Sequence, residues 1–465
     1  MLPRQYARKS ATPSGALPRS EQRPDPWIPI APTSPKITRC TRFIHTNSEL
    51  DSFVRADRVV PSRAVSGRLH HLDALRAFAM FLGIVLHAAL AYTGGPWIVR
   101  DSEPGGAGSG AFVLLYGVIH GFRMELFFLL SGFFTALLWR RRGLAGMLRQ
   151  RTARIALPLL VGLFTIVPLV WGAIIWARHA QGAVPVDPPA DPHPPVAVAL
   201  WLLFRFPLFH HLWFLWFLCW MVAGFALVVA ACPRGLAVRV HTWLMHDRSA
   251  ARWAIASPRA LAWLLPLTVL SFAAMAPTRE GPGFGTDTSA SLLPLPGVLV
   301  HHALFFAFGA LLHEVPSALD GFARRWIVSA VAAVVLLPIG MSFAFGAEWT
   351  RALLPQGLTH ALLSWTVQSL YAWLACIALL GGFARLTTRE HRAVRHLSDS
   401  SYWLYLAHLP LVIAGQILLL PLPWPSVVKF VVLLVVSTAL LLASYRWGVR
   451  DTVVGRLLNG PRTRP

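Results

Sequence analysis

Acidic side chains are scarce in this chain. Asp and Glu number 20 against 42 Lys and Arg in 465 residues, and charged residues make up only 13% of the total. A soluble domain carries about 25% charged residues, so a soluble globular class is excluded. Cysteine is equally sparse: Cys40, Cys219, Cys232 and Cys376 are scattered, with no CxxC pair. That excludes a disulfide framework and a thiolate metal site. No HExxH pattern is present either. The net charge of +22 raises nucleic acid as a partner, but the arginines collect in alternate loops between apolar runs, so no nucleic-acid binding is expected.

What the chain has in abundance is apolar sequence, with 55% hydrophobic residues, 19 Trp and 27 Phe. A membrane span needs roughly 20 apolar residues. Ten segments qualify, at about 72–93, 111–139, 155–176, 211–231, 260–276, 298–312, 326–346, 357–383, 401–420 and 427–449. The apolar piece Val196 to Phe209 is broken by Arg205 and Pro207 and reads as an interfacial or re-entrant segment. The expected fold is therefore all-α, a polytopic membrane protein with about ten transmembrane helices. The loop from Arg140 to Arg154 holds six arginines and no acid, and residues 232–259, 384–400 and the tail from Arg450 are also arginine-rich. The remaining loops carry Asp101, Glu103, Asp187, Asp191, Glu280, Asp287 and Glu348. Positive loops at every alternation predict that both termini are cytoplasmic, in a cell inner (plasma) membrane protein. Residues 1–67 form a separate basic stretch, with 12 Lys/Arg against 5 Asp/Glu up to His71. This stretch reads as a disordered extension, with a transit peptide or a lipid-binding arm as alternatives. Residues 68–449 are the membrane domain and 450–465 a cytoplasmic tail.

The first span, LDALRAFAMFLGIVLH (Leu72 to His87), carries two expensive groups. An arginine at the centre of a membrane helix costs roughly 2.5–3.5 kcal/mol on insertion scales. Arg76 and His87 are eleven positions apart, almost three full turns, so both leave one face about 16.5 Å apart along the axis. Asp73 precedes Arg76 by three residues and can pair with it. Such a face is expected to look into a cavity, although Arg76 alone is also explained by snorkelling to the headgroups. In the second span, His120, Arg123, Glu125 and Ser131 lie within HGFRMELFFLLSGFF. Glu125 is either part of a site or simply the compensating charge for Arg123, and Ser131-Gly132 is also explained as a helix-packing spot. Arg205, His210, His211, His301, His302 and His408 follow. Adjacent histidines on a helix point about 100° apart, so no metal is expected, and His301 and His302 read as interfacial.

Arg76 and His87 in this spacing, ELFFLLSGFFTALLWRRRG (Glu125 to Gly143), HLWFLW (His211 to Trp216) and SYWLYLAHLPL (Ser401 to Leu411) resemble the signature of the acyltransferase 3 membrane family over about residues 68 to 449. Within it, the layout is most similar to a branch acting on periplasmic glucans. The resemblance implies O-acylation of an extracytoplasmic carbohydrate by a cytoplasmic acyl-CoA, succinyl-CoA or acetyl-CoA, with no metal. His87 and Arg76 would then be catalytic. Arg123, Glu125, His120, Ser131, Asp73, Arg205, His211 and His408 would bind substrate, with Glu125 orienting Arg123. The partners implied are membrane lipids and the carbohydrate acceptor. A transporter of a small polar or anionic molecule would line its path with the same groups. The lack of visible internal repeats speaks against it.

Overall fold

In lipid every backbone N–H and C=O must be satisfied within the protein, so long apolar runs become helices. A computed structural model describes residues 70–101, 109–182, 194–233, 254–255, 258–279, 283–315, 317–387 and 392–459. The expected extension at 1–67 lies outside the described residues. The helices are α1 (His70–Ala89), α2 (Ser109–His120), α3 (Arg123–Arg151), α4 (Leu157–Ala180), α5 (Pro195–Phe204), α6 (Trp213–Ala231), α7 (Leu261–Met275), α8 (Pro296–Glu314), α9 (Ser317–Phe345), α10 (Glu348–Leu353), α11 (Leu358–Leu386), α12 (Arg392–Leu419), α13 (Ser426–Ser444) and α14 (Val453–Asn459). No strand occurs among the described residues.

Nine helical stretches among the described residues are long and apolar enough to cross a membrane. The ten expected segments fall on these nine, because two of them lie in one long run, Gly110–Ala180. Within that run the backbone leaves helical geometry at Gly143 (φ 68°, ψ 178°), a conformation that glycine adopts without a Cβ penalty. The apolar piece before Pro207 is α5, only 10 residues long and too short to span. Phe164, Leu227, Val328, Val334 and Val435 stand exposed on the outside of the bundle, as side chains facing lipid do.

The strongest packing pairs α9 with α11, α3 with α8, and α1 with α12. Small residues set the α3–α8 crossing. A Cβ at Gly132 would fall on the Phe306 carbonyl, and one at Gly309 on the Leu129 carbonyl. The two backbones therefore touch, as membrane helices do where glycines line the contact. The packing explanation for Gly132 thus holds, and it fixes the distance between the two walls of the site.

Candidate active site

Helical periodicity puts Arg76, Met80, Gly83 and His87 on one face of α1. Arg76 Nη2 lies 3.6 Å from Asp73 Oδ1, as the spacing predicts. This end of α1 opens on a cavity of about 400 Å³ lined by Asp73, Arg76, Met80, Ser131, Arg141, Arg142, Arg151, Arg154 and Tyr402, among others. Four arginines that the sequence offers as orientation signals therefore face the same space as Arg76. Arg151 Nη2 reaches the Ser131 carbonyl at 3.4 Å, and the Tyr402 hydroxyl donates to the Arg154 carbonyl at 2.7 Å. Five arginines lining one pocket supply planar forks of the kind that can bind phosphate or carboxylate.

One turn before His87, α1 meets Arg123. A Cβ at Gly83 would lie 2.5 Å from Arg123 Nη1, so the glycine admits the guanidinium against the helix backbone. Arg123 Nε is buried without a hydrogen-bond partner. His87 stands above, its ring 5.5 Å from Trp97 in a stacked arrangement and 5.2 Å from His408. Its Nδ1 is buried and unpartnered. His408 in turn lies 5.2 Å from His211.

Proline chemistry explains how these imidazoles are held. Pro410 has no N–H, so the carbonyl four residues earlier, at Leu406, loses its helical donor. His211 Nε2 takes that place at 3.0 Å. A carbonyl oxygen only accepts, so His211 carries its proton on Nε2 and keeps a lone pair on Nδ1. His408 Nδ1 donates to the Tyr405 carbonyl at 2.7 Å, leaving the lone pair on Nε2. Both free nitrogens are buried without partners. A second brace comes from Gln416. It accepts from Trp97 Nε1 at 3.0 Å and donates to the His87 carbonyl at 2.9 Å.

Glu125 does not orient Arg123. Its Oε1 accepts from Thr286 Oγ1 at 2.7 Å and lies 3.4 Å from His301 Nε2. The cause is the buried loop after residue 283, which reaches back to α2 and α3: His120 Nε2 bonds the Thr286 carbonyl at 3.0 Å. His301 and His302 are not interfacial. Both are 0% exposed, and with Glu125 they form a group whose ligand-capable atoms lie within 4.8 Å of one another. Although the two adjacent rings stand at 90° to each other, the carboxylate of Glu125 approaches them from α3. Arg205 sits on a different element, at the end of α5, where its backbone N–H bonds the Trp201 carbonyl.

The structure thus gathers His87, Arg123, His211 and His408 in one cluster, Asp73, Arg76 and Ser131 around the cavity, and His120 and Glu125 in a third group. Sequence reasoning missed Trp97, Gln416, Thr286 and the cavity-facing role of Arg141, Arg142, Arg151 and Arg154. Gln416 carried the one available signal, as an amide inside an apolar span.

A family model described as an acyltransferase domain matches residues 69–446. Glucans biosynthesis protein C of Escherichia coli O1:K1 / APEC is 32% identical over 149 residues, which is 32% of this chain and 35% of that protein. The proteins of the same name from Escherichia coli O139:H28 (strain E24377A / ETEC) and O9:H4 (strain HS) match to the same extent. The aligned region thus spans about a third of the length of these curated relatives. No solved structure matches. With the family model covering most of the chain, the protein belongs to the acyltransferase 3 family.

Proposed function

We propose that the protein transfers an acyl group, succinyl or acetyl, from cytoplasmic acyl-CoA to a hydroxyl of a periplasmic glucan or related cell-envelope carbohydrate. It would do so in the inner membrane, with both termini cytoplasmic. The observation that carries this reading is the α1 face: Arg76 and Met80 line an arginine-rich cavity, and further along the same face come Gly83, against Arg123, and His87. The relatives' name, a glucans biosynthesis protein, supports a glucan as acceptor.

Arg76, Arg151 and Arg154 would hold the donor's phosphates, so the thioester at the far end of the pantetheine arm points along α1. His87, as a neutral imidazole, removes the proton from the acceptor hydroxyl while its oxygen attacks the thioester carbonyl. Arg123 then faces the developing oxyanion, or the free carboxylate of a succinyl donor. Collapse expels the thiolate, which takes from His87 the proton that came from the acceptor hydroxyl. His211 and His408 hold the acceptor from the opposite wall. In a variant of this path His87 first takes the acyl group itself. Rapid quench with labelled donor separates the two, since only the second traps an acyl-histidine.

Mass spectrometry of periplasmic glycans from strains with and without the protein tests the reading directly. The expected result is an acetyl or succinyl increment that is lost on deletion. His87→Ala, in a correctly inserted protein, is expected to lower transfer by about 10²–10⁴-fold. Undiminished acylation in that variant removes His87 from the chemistry. Altered flux with unchanged glycan masses would instead mark a transporter.

A further inference from the structure

We propose that Glu125, His301 and His302 form a binding site for one divalent metal ion of the zinc type, buried between α3 and α8. The three residues are 1%, 0% and 0% exposed, and one ligand-capable atom from each lies within 4.8 Å of the other two. His301 Nε2 and Glu125 Oε1 are 3.4 Å apart. That is long for a hydrogen bond, but it matches the edge of about 3.3 Å in a tetrahedron with metal–ligand bonds of about 2.0–2.1 Å.

Buried polar atoms in native proteins nearly always have partners, and those that lack them call for an explanation such as an ion. Here Glu125 Oε2, His301 Nε2 and both ring nitrogens of His302 have none. A carboxylate oxygen and an imidazole lone pair are both acceptors and cannot satisfy each other. A shared cation would take the free carboxylate oxygen, His301 Nε2 and one ring nitrogen of His302.

The surroundings point the donor atoms inward. Ser271 Oγ donates to the Thr268 carbonyl at 2.6 Å, which spends its only proton. It must therefore accept from His301 Nδ1 at 2.9 Å, and this leaves the Nε2 lone pair facing Glu125. On the other side, Thr286 Oγ1 donates to Glu125 Oε1 at 2.7 Å. Hydrogen bonds of this kind to metal ligands fix tautomer and orientation. Two imidazoles and one carboxylate are a zinc set, whereas calcium and magnesium take mostly oxygen. The ion would tie α3 to α8 and, through Thr286, to the buried loop after residue 283. It would thus brace the wall that carries Arg123.

The test uses full-length protein without a polyhistidine tag, purified in detergent with trace zinc, desalted and analysed by plasma mass spectrometry. Stoichiometric zinc is expected in the wild type and background zinc in E125Q and H302A. The cobalt-substituted form is expected to show visible ligand-field absorption. If either variant fails to fold, S271A keeps all three ligands and is expected to weaken zinc binding by about 10–100-fold in a chelator titration. Folded wild type with no zinc above the buffer blank overturns the proposal and leaves a metal-free Glu125–His301 pair. So does zinc that persists in E125Q and H302A. Neither readout requires turnover, so the outcome is independent of the transferase reading.

Discussion

Replacing Gln416 with leucine tests whether His87 is held in position from outside its own helix. Gln416 bridges Trp97 Nε1 (3.0 Å) and the His87 carbonyl (2.9 Å), and Trp97 stacks on the His87 ring at 5.5 Å. Leucine nearly conserves the volume, so the packing cost stays under about 1.5 kcal/mol. The orphaned indole N–H adds about 1–3 kcal/mol if fully buried, nearer 0.6 kcal/mol at the average for hydrogen bonds measured in a membrane protein. The catalytic effect is the larger one. Freed of its anchor, Trp97 no longer fixes the imidazole, and a misplacement of about 1 Å costs up to about 10²-fold in rate. Arg76, at the proposed donor cavity, lies about 16.5 Å down the helix and is untouched. Transfer of labelled acyl groups in proteoliposomes, at varied donor, should therefore show kcat reduced by about 10–100-fold with KM for acyl-CoA within about twofold. Thermal unfolding in detergent serves as the folding control. A normal kcat, or a loss carried by KM alone, refutes the positioning role.

Other perturbations separate donor grip, helix packing and proline compensation. Arg151→Ala with Arg154→Ala is expected to raise KM for acyl-CoA by about tenfold or more, as lost charged hydrogen bonds of about 1.5–3 kcal/mol imply. An acyl-pantetheine donor without phosphates should be unaffected, and an equal effect on both donors argues against a phosphate grip. Gly132→Leu, which drives a side chain into the Phe306 carbonyl, should abolish folded protein on size-exclusion chromatography. Gly224→Leu, where a Cβ meets nothing within 4 Å, should not; equal yields refute the backbone contact. His211→Leu orphans the Leu406 carbonyl and should lower the thermal midpoint, corresponding to about 1–3 kcal/mol. Adding Pro410→Ala restores a backbone donor to that carbonyl and should recover part of the loss, whereas purely additive effects would break the link between the two residues.

The features legible in the sequence are those that one helix determines by itself. Apolar length gave the spans, and the 3.6-residue period put Arg76 and His87 on one face without any knowledge of the partner helices. Asp73 beside Arg76 follows from the same rule and is found at 3.6 Å. Two expected segments lie in one helical run, where a single glycine, Gly143, marks the joint between them. Composition cannot resolve that, since one residue in left-handed geometry leaves hydropathy unchanged.

Contacts between helices were not legible, because they depend on how closely and at what rotation two backbones meet. Glu125 is two positions from Arg123 in sequence, yet its partners are His301 and Thr286, more than 160 residues away. What permits that choice is the pair Gly132 and Gly309, which let α3 and α8 touch. A larger residue at either position would hold the carboxylate away from the imidazoles. The arginines between Arg140 and Arg154 show the complementary case. Their charge serves topology from any position in the loop, so the sequence explains them completely without a site. Only the fold reveals that four of them also share a cavity with Arg76. An orientation signal needs charge alone, whereas a phosphate receptor needs convergence. In the proposed function the arginine loop would carry both functions at once, and the donor end would be built from residues that membrane insertion already requires.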